Sequence, residues 1–388
     1  MPALPRLRAN DLRLLPVTFG NFATACSAMI VVGMLNEISA DLGVSIATAG
    51  LLAAATAVST AIAAPLLGFL ASRRDRRTVL SIALGIVAAA QFLASLAPGF
   101  WALLAVRLLT GLGPALYPPT AATAASLMSP PEERGRAVTM VFVGYSAATV
   151  LGIPLGVWLG AQFGWRTTMF LIGCLAVISL LWVRMSVPKG LHGQPLAPGA
   201  WRAPLADRRI VALLVSQILQ AIAQMMSWSY IAPLLKESIG ATPGTISLLL
   251  AWFGLWAVGG QTMAMRWIDR VGAATIGSVA LICMLVPLAL WPLGQGSLAV
   301  TTILMSIWAL GAFSMTSTQQ VRLIAINAPL APITVGLNSA AFAAGNMSGT
   351  VVGGAIVATA GLSALTGWSA LAMCVALGLH LWSLRLTR

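Results

Sequence analysis

Gln217, Gln220 and Gln224 stand three and four residues apart, so a helix through them carries three amides on one face. Trp228 continues that stripe and Tyr230 lies beside it. Amides with aromatic neighbours donate and accept hydrogen bonds, offer apolar area and bring no formal charge, so they suit a neutral, zwitterionic or anionic solute better than a strongly cationic one. Asn21 and Thr24 form a shorter stripe of the same kind, Asn338 and Asn346 share a face eight residues apart, and Gln319 and Gln320 stand together. In hydrocarbon an unpaired amide is costly, so each of these groups faces either a polar cavity or a partner on a neighbouring helix. Both readings stand for any single residue, and the Gln stripe with its aromatic neighbours points to a solute site.

Other chemistry is poorly supplied. The chain has 9 acids and 2 histidines. His192 and His380 lack metal-ligand company, and Cys26, Cys174, Cys283 and Cys374 are dispersed, without zinc or disulfide spacing. No metal and no cofactor is expected. An enzyme would need acids, histidines or cysteines converging at a water interface, so the chain reads as a non-enzyme. One charged residue stands out: Arg107 interrupts an apolar run, and Glu37 is the nearest acid by topology. From its position alone Arg107 could form a structural ion pair or cap backbone carbonyls; the family resemblance given below adds a third role, coupling to a proton or solute.

The elements that position these residues follow from composition. The 388 residues are 59% hydrophobic and 8% charged, against about a quarter charged in soluble domains. Apolar runs of about 20 residues recur, each able to cross a bilayer as a helix. Twelve spans are expected, at 14–36, 46–71, 77–97, 100–127, 137–160, 166–187, 209–235, 245–268, 273–294, 297–322, 333–358 and 363–384. The first lacks a small-residue cleavage site, so no removable signal peptide is expected. All 22 Lys and Arg except Arg107, Arg166 and Lys236 fall in the N-terminus, the C-terminus and every second loop. That asymmetry predicts cytoplasmic termini and cytoplasmic basic loops. The net charge of +13 is therefore a topology signal with some attraction to anionic lipid. Nucleic acid is not an expected partner.

Residues 188–208, rich in Pro, Gly and basic side chains, read as a cytoplasmic linker between halves at 1–187 and 209–388. "GMLNEISADLGVS" closes the first span and "APLLKESIGATPGT" the seventh, which pairs Glu37 with Glu237. "ASRRDRR" and "RWIDRVG" close the second and eighth, pairing Ser72 with Asp269. A repeat of about 200 residues with six spans per half is the internal symmetry of alternating-access transporters.

Three motifs carry a family resemblance. "GFLASRRDRR", with Gly68, Arg73, Asp75, Arg76 and Arg77, is echoed by Asp269, Arg270 and Gly272. "RLLTGLGPA" holds Arg107, Gly111 and Gly113. "GYSAATVLGIPLGVWLGAQFGWR" aligns Gly144, Gly152, Gly156 and Gly160 on one face around Pro154, and "AAGNMSGTVVGGA" repeats the pattern with Gly345, Gly349 and Gly353. Together they resemble bacterial transporters of the major facilitator superfamily, of the twelve-span drug/proton antiporter type. The likeness is nearest to arabinose and sugar efflux and chloramphenicol-resistance permeases, and it covers essentially the whole chain.

The resemblance implies an all-α, multi-pass fold of two pseudo-symmetric six-helix halves in the bacterial cytoplasmic (inner) membrane, monomeric, exporting a drug, sugar or metabolite, with proton exchange as the family's usual drive. It makes the loop at 68–77 a cytoplasmic latch, Arg107 a coupling residue, and the glycine faces the seams along which the halves rock. Two positions depart from the pattern. Ala28 stands where such relatives carry an acid in the first span, and Ser72 where they carry the acid of the latch. Proton coupling is therefore left open, with a proton-independent facilitator or importer as the alternative, and a receptor or scaffold as the alternative of another class.

Overall fold

The computed structural model of the chain describes residues 9–130, 133–192, 202–326 and 331–386, and every regular element among them is helical. The first half comprises α1 (Ala9–Gly33), α2 (Leu35–Leu42), α3 (Ile46–Ser72), α4 (Arg76–Ser95), α5 (Phe100–Thr110), α6 (Leu112–Leu127), α7 (Arg134–Ala147), α8 (Ile153–Phe163) and α9 (Trp165–Ser186). A short α10 (Arg202–Ala206) leads into the second half. That half comprises α11 (Arg208–Trp228), α12 (Ile231–Ile239), α13 (Pro243–Val271), α14 (Ala273–Leu290), α15 (Leu298–Ala312), α16 (Ser314–Ile326), α17 (Ala331–Ala360) and α18 (Leu365–Leu386). Among the described residues, 11 helical segments are long and apolar enough to cross a membrane. The segment expected as the tenth span is split at Phe313 into α15 and α16, each shorter than a bilayer crossing.

The internal repeat is visible in backbone angles. The chain breaks between α1 and α2 at Met34 (φ −112°, ψ 16°) and between α11 and α12 at Tyr230 (φ −116°, ψ 19°). The short helices then end on left-handed Gly43 (φ 63°, ψ 31°) and Gly240 (φ 63°, ψ 29°), a conformation that favours glycine. Each following helix is capped by a hydroxyl: Ser45 accepts from the Thr48 amide at 3.1 Å and Thr242 from the Thr245 amide at 3.2 Å. Aligning Gly43 with Gly240 corrects one sequence correspondence. Glu237 matches Ala40, and Glu37 matches Leu234, so the two acids are not equivalent.

Glycine packing holds each half together. A Cβ at Gly144 would lie 2.1 Å from the Thr18 carbonyl, and one at Gly156 or Gly160 would strike Ile30 or Met34, so α7 and α8 lie directly on α1. In the second half, Cβ atoms at Gly345, Gly349 and Gly353 would fall within 2.7 Å of α11 atoms, including the Ile218, Ile222 and Met226 carbonyls. The sequence reading made these faces helix-packing seams, and, in its functional form, the seams along which the halves rock. Close packing is what they do here, and it lies inside each half, because helices in lipid gain little from apolar burial and cohere through close backbone approach. Pro154 denies a hydrogen bond to the carbonyl one turn earlier, and a π-helical turn, Ala148–Gly152, sits there between α7 and α8.

Between the halves, α3 packs on α17 and α8 on α13. These contacts gather at the end that carries Glu37, Asp41 and Glu237. There the Ser247 hydroxyl donates to the Pro154 carbonyl at 2.7 Å, and Tyr230 fills the space that Cβ atoms at Gly50 and Gly354 would need. One apolar cluster runs continuously across both halves at that end, from Met34, Leu35 and Leu52 to Tyr230, Leu235 and Phe253. At the opposite, basic end the core divides. Leu14, Leu80, Tyr117 and Val183 belong to a cluster confined to the first half, and Ile210, Leu213 and Leu323 to one confined to the second. Gly68 and Gly259, on the basic halves of α3 and α13, have nothing within 4 Å of a built Cβ.

This division predicts opposite outcomes for chemically identical substitutions. Gly144→Ala and Gly345→Ala each force backbone apart and should cost about 1–3 kcal/mol, read as a lowered Tm. Gly68→Ala should hold or raise Tm through the ~1 kcal/mol gain in helix propensity.

Candidate functional site

The amides of the stripe on α11 bond to one another and leave Gln217 Oε1 buried without a partner among the described residues. Gln217 Nε2 donates to Gln220 Oε1 at 2.9 Å, and Gln220 Nε2 donates to Gln224 Oε1 at 2.7 Å while lying 3.7 Å from Met284 Sδ on α14. The three side chains are at most 4% exposed. They form a ladder within the second half, the arrangement that hydrogen bonding offers as the alternative to a cavity face. Trp228, next along the stripe, tilts against Phe253 with centroids 4.4 Å apart and meets Trp308 edge-on at 6.0 Å. The Tyr230 hydroxyl lies 3.4 Å from the Thr350 carbonyl. In the first half Asn21 Nδ2 donates to the Val141 carbonyl at 3.0 Å and Thr24 bonds back to Gly20 at 2.8 Å. The two asparagines of α17 separate: Asn338 is fully buried with no partner among the described residues, whereas Asn346 is half-buried with Oδ1 unpartnered.

Arg107 and Glu37 do not pair. Arg107 is fully buried, and its guanidinium donates to the Ser27 carbonyl at 3.1 Å, the Ala28 carbonyl at 3.0 Å and the Leu52 carbonyl at 3.5 Å. Gln91 Nε2 donates to the same Ser27 carbonyl at 3.2 Å. The reason is geometric. The break at Met34 carries Glu37 onto α2, nine residues beyond Ala28, or about 14 Å along a helix. Of the three roles open to Arg107, carbonyl capping is the one this conformation displays. Glu37 keeps a buried, unpartnered Oε2, and burial raises its pKa against the opposing pull of its own backbone amide and of Lys236. Asp41, by contrast, is held below the carboxylate range by hydrogen bonds from Arg166 and from Trp165 Nε1, the latter at 3.0 Å.

The loop motif is tied to its own half. Asp75 caps α4 by accepting from the Thr78 amide at 3.1 Å, and its other oxygen accepts from the Leu191 amide at 2.9 Å. Partial burial opposes ionisation there, yet these donors keep the Asp75 pKa low. Arg76 caps the end of α3 through the Ala71 and Ser72 carbonyls at 3.0 and 3.3 Å, and Arg77 donates to the Arg184 carbonyl. Arg73 lies over the Phe69 ring at 5.4 Å. Ser72, where an acid was expected, turns its hydroxyl back to the Phe69 carbonyl at 2.7 Å. In the counterpart loop, Gly272 ends α13 at φ 84° and Arg270 lies 5.8 Å from the Trp267 ring. The Asp269 side chain lies outside the described residues.

Sequence reasoning missed Gln91, beside Arg107, and a buried polar network around Arg322. Arg322, counted among the loop charges, donates to His380 Nδ1 at 3.3 Å and to the Ser383 hydroxyl at 3.1 Å. His380 Nε2 lies 3.3 Å from the Ala274 carbonyl, which can only accept. The proton therefore sits on Nε2 and the ring is neutral, an assignment made from the hydrogen-bond network. Gly277 leaves the ring its room, since a Cβ there would lie 2.9 Å from it. An arginine and a histidine inside otherwise apolar helices were the available signal, but their partnership spans three helices that sequence spacing cannot join.

The comparisons agree with this architecture. A profile described as "Major Facilitator Superfamily" matches residues 17–218. The chain is 29% identical over 349 residues to the inner membrane transport protein YdhP of Escherichia coli (strain K12), covering 90% of this chain and 89% of that protein. It is 30% identical over 311 residues, 78% of each chain, to a chloramphenicol resistance protein of Streptomyces lividans. Among solved structures, the nucleoside transporter NupG superposes with a TM-score of 0.80 at 13% identity, covering 96% of this chain and 99% of that one. A bacterial homologue of the human lysosomal transporter Spinster, inward-facing and occupied, gives 0.77 at 18% identity, with 96% of each chain covered. The chain is a multi-pass protein of the bacterial inner membrane, and it belongs to the major facilitator superfamily of small-solute transporters.

Proposed function

We propose that the protein exports a small, uncharged organic solute across the inner membrane by alternating access. Twelve spans would form halves at 1–187 and 209–388, joined by residues 188–208, with both termini cytoplasmic. The observation that carries this reading is the one-sided contact between halves: a continuous apolar cluster at the acidic end and two separate clusters at the basic end. Placing the basic loops in the cytoplasm makes this the inward-open state. The other state would close the basic end by bringing α17 against Gly68, with Arg73, Asp75, Arg76 and Arg77 at the contact. The chloramphenicol-resistance relative supports efflux of a neutral drug-like solute.

A second reading, facilitated flux without protons, draws on a specific observation. No acid of the sequence falls within the predicted spans, Glu37 lying just beyond the first at the outer mouth, and Arg107 engages carbonyls rather than a carboxylate. Proteoliposomes loaded with chloramphenicol distinguish the two. Proton-linked export predicts flux that follows an imposed pH gradient and weakens in Glu37→Gln, whereas equal flux under either gradient establishes the facilitator.

Two further outcomes follow from the geometry. With the four native cysteines replaced by alanine, Gly68→Cys should react with a charged maleimide applied from the cytoplasmic side, and Ser247→Cys should resist it from outside. The reverse pattern would refute an inward-open resting state. Glu37→Gln should raise Tm at pH 7, because it removes a charge that burial disfavours. The gap should close as pH falls through the raised pKa and vanish below about 4.3, where the unfolded carboxyl is also protonated.

A further inference from the structure

The end of the second half that carries Glu237 encloses a polar cavity of about 180 Å³, room for about six waters. Its walls come from three places far apart in sequence. Glu237 and Ser238 lie on α12, Trp291 and Gln295 in the turn that follows α14, and Ser363 and Thr366 at the start of α18. Hydrogen bonds fix the turn. The Gly296 amide donates to the Ser238 carbonyl at 2.8 Å, and the Thr301 hydroxyl donates to the Gly294 carbonyl at 3.0 Å. The Trp291 ring is held edge-on to Trp308, with centroids 6.3 Å apart.

The polar groups around this cavity lack partners. Thr366 is 1% exposed, and its hydroxyl bonds to nothing among the described residues. The Ser238 hydroxyl is likewise buried and unpartnered. Glu237 has neither an ion pair nor a side-chain hydrogen bond among the described residues. A buried hydroxyl left unpaired is costly, and a ligand in the cavity would supply what these groups lack.

The first half shows what such a corner holds. Its equivalent elements are α2, the connection from α4 to α5 and the start of α9. The register that aligns Gly43 with Gly240 places Asp41 at Ser238. There the cation belongs to the chain itself. Arg166 donates to Asp41 and, at 3.3 Å, to the Ala97 carbonyl, and its guanidinium lies 4.2 Å from the Trp165 ring centroid. The second half carries its carboxylate one residue earlier, at Glu237, and has its ring at Trp291, but residues 361–367 include no arginine. The corner keeps the acid and the ring and omits the cation.

We infer that this cavity binds a small organic cation bearing a guanidinium or primary ammonium group, in the place that Arg166 fills in the first half. The N–H groups of the ligand donate to Glu237, to the Ser238 and Thr366 hydroxyls and to Gln295 Oε1, and Trp291 offers aromatic surface. One carboxylate balances one positive charge. The space is too large for a bare metal ion, whose oxygen ligands close in to about 2–2.6 Å. All the walls belong to the second half, so the site is separate from a solute path between the halves, and binding is read without transport.

The test is thermal denaturation of the full chain in phosphatidylcholine nanodiscs, a lipid without a primary ammonium. The probes are methylguanidinium chloride and methylurea, its uncharged isostere, at constant ionic strength. Methylguanidinium should give a saturable rise in Tm and methylurea none. Glu237→Gln should raise the apparent Kd about tenfold or more, and Thr366→Val about three- to tenfold. Ser363→Arg, which supplies a cation from the chain, should abolish the response without lowering the unliganded Tm. Asp41→Asn, in the other half, should keep it. Glu237 and Ser363 are exposed, so their variants test binding in a folded protein. The absence of a saturable rise, an equal rise with methylurea or sodium chloride, or an undiminished response in Glu237→Gln overturns the inference.

Discussion

Every feature of this molecule depends on how helices cohere where apolar burial drives little. A leucine gains almost nothing by moving from lipid to a neighbouring helix, so cohesion comes from contact density and hydrogen bonds. The chain supplies contact density with glycines that let backbone touch backbone, α7 and α8 on α1 and α17 on α11. Each half is thereby a stiff unit, and the looser join between the halves is left as the place that can change.

The same constraint governs the polar groups. Arg107 bonds to carbonyls of α1 and α3, the Gln side chains to one another along their own helix, and Arg322 to His380 and Ser383. All these bonds are internal to one half, so they survive a rigid-body motion. Across the halves the interactions are few and simple, such as the Ser247 hydroxyl on Pro154 and the Tyr230 ring against Gly50. Strong bonds within and weak bonds between are what a reversible two-state carrier requires.

The fold was legible in the sequence because membrane helices announce themselves through long apolar runs and the charge of their loops. Glycines at four-residue spacing were equally legible as packing surfaces, but spacing could not say which neighbour they meet, and α1 rather than the opposite half proved to be the partner. Depth was the second limit. Arg107 and Glu37 were paired by topology, and a one-residue break at Met34 carried the acid onto another helix. Amides were the third, since a stripe of Gln217, Gln220 and Gln224 has the same pattern whether it faces a cavity or bonds along its own ladder. The cavity beside Glu237 left no periodic trace at all, because α12, the turn after α14 and the start of α18 each supply part of its wall.

The one-sided join also concerns the bilayer. With the halves held together at one end and parted at the other, the protein occupies a different share of area in the two leaflets, and under the proposed alternating access an exchange of states would transfer that difference from one leaflet to the other. Lipids that relieve packing stress in one leaflet will favour one state by the work done against lateral pressure, as any ligand favours the form it fits better. Under that mechanism the composition of the membrane would be an effector of the protein, acting through shape and needing no binding site.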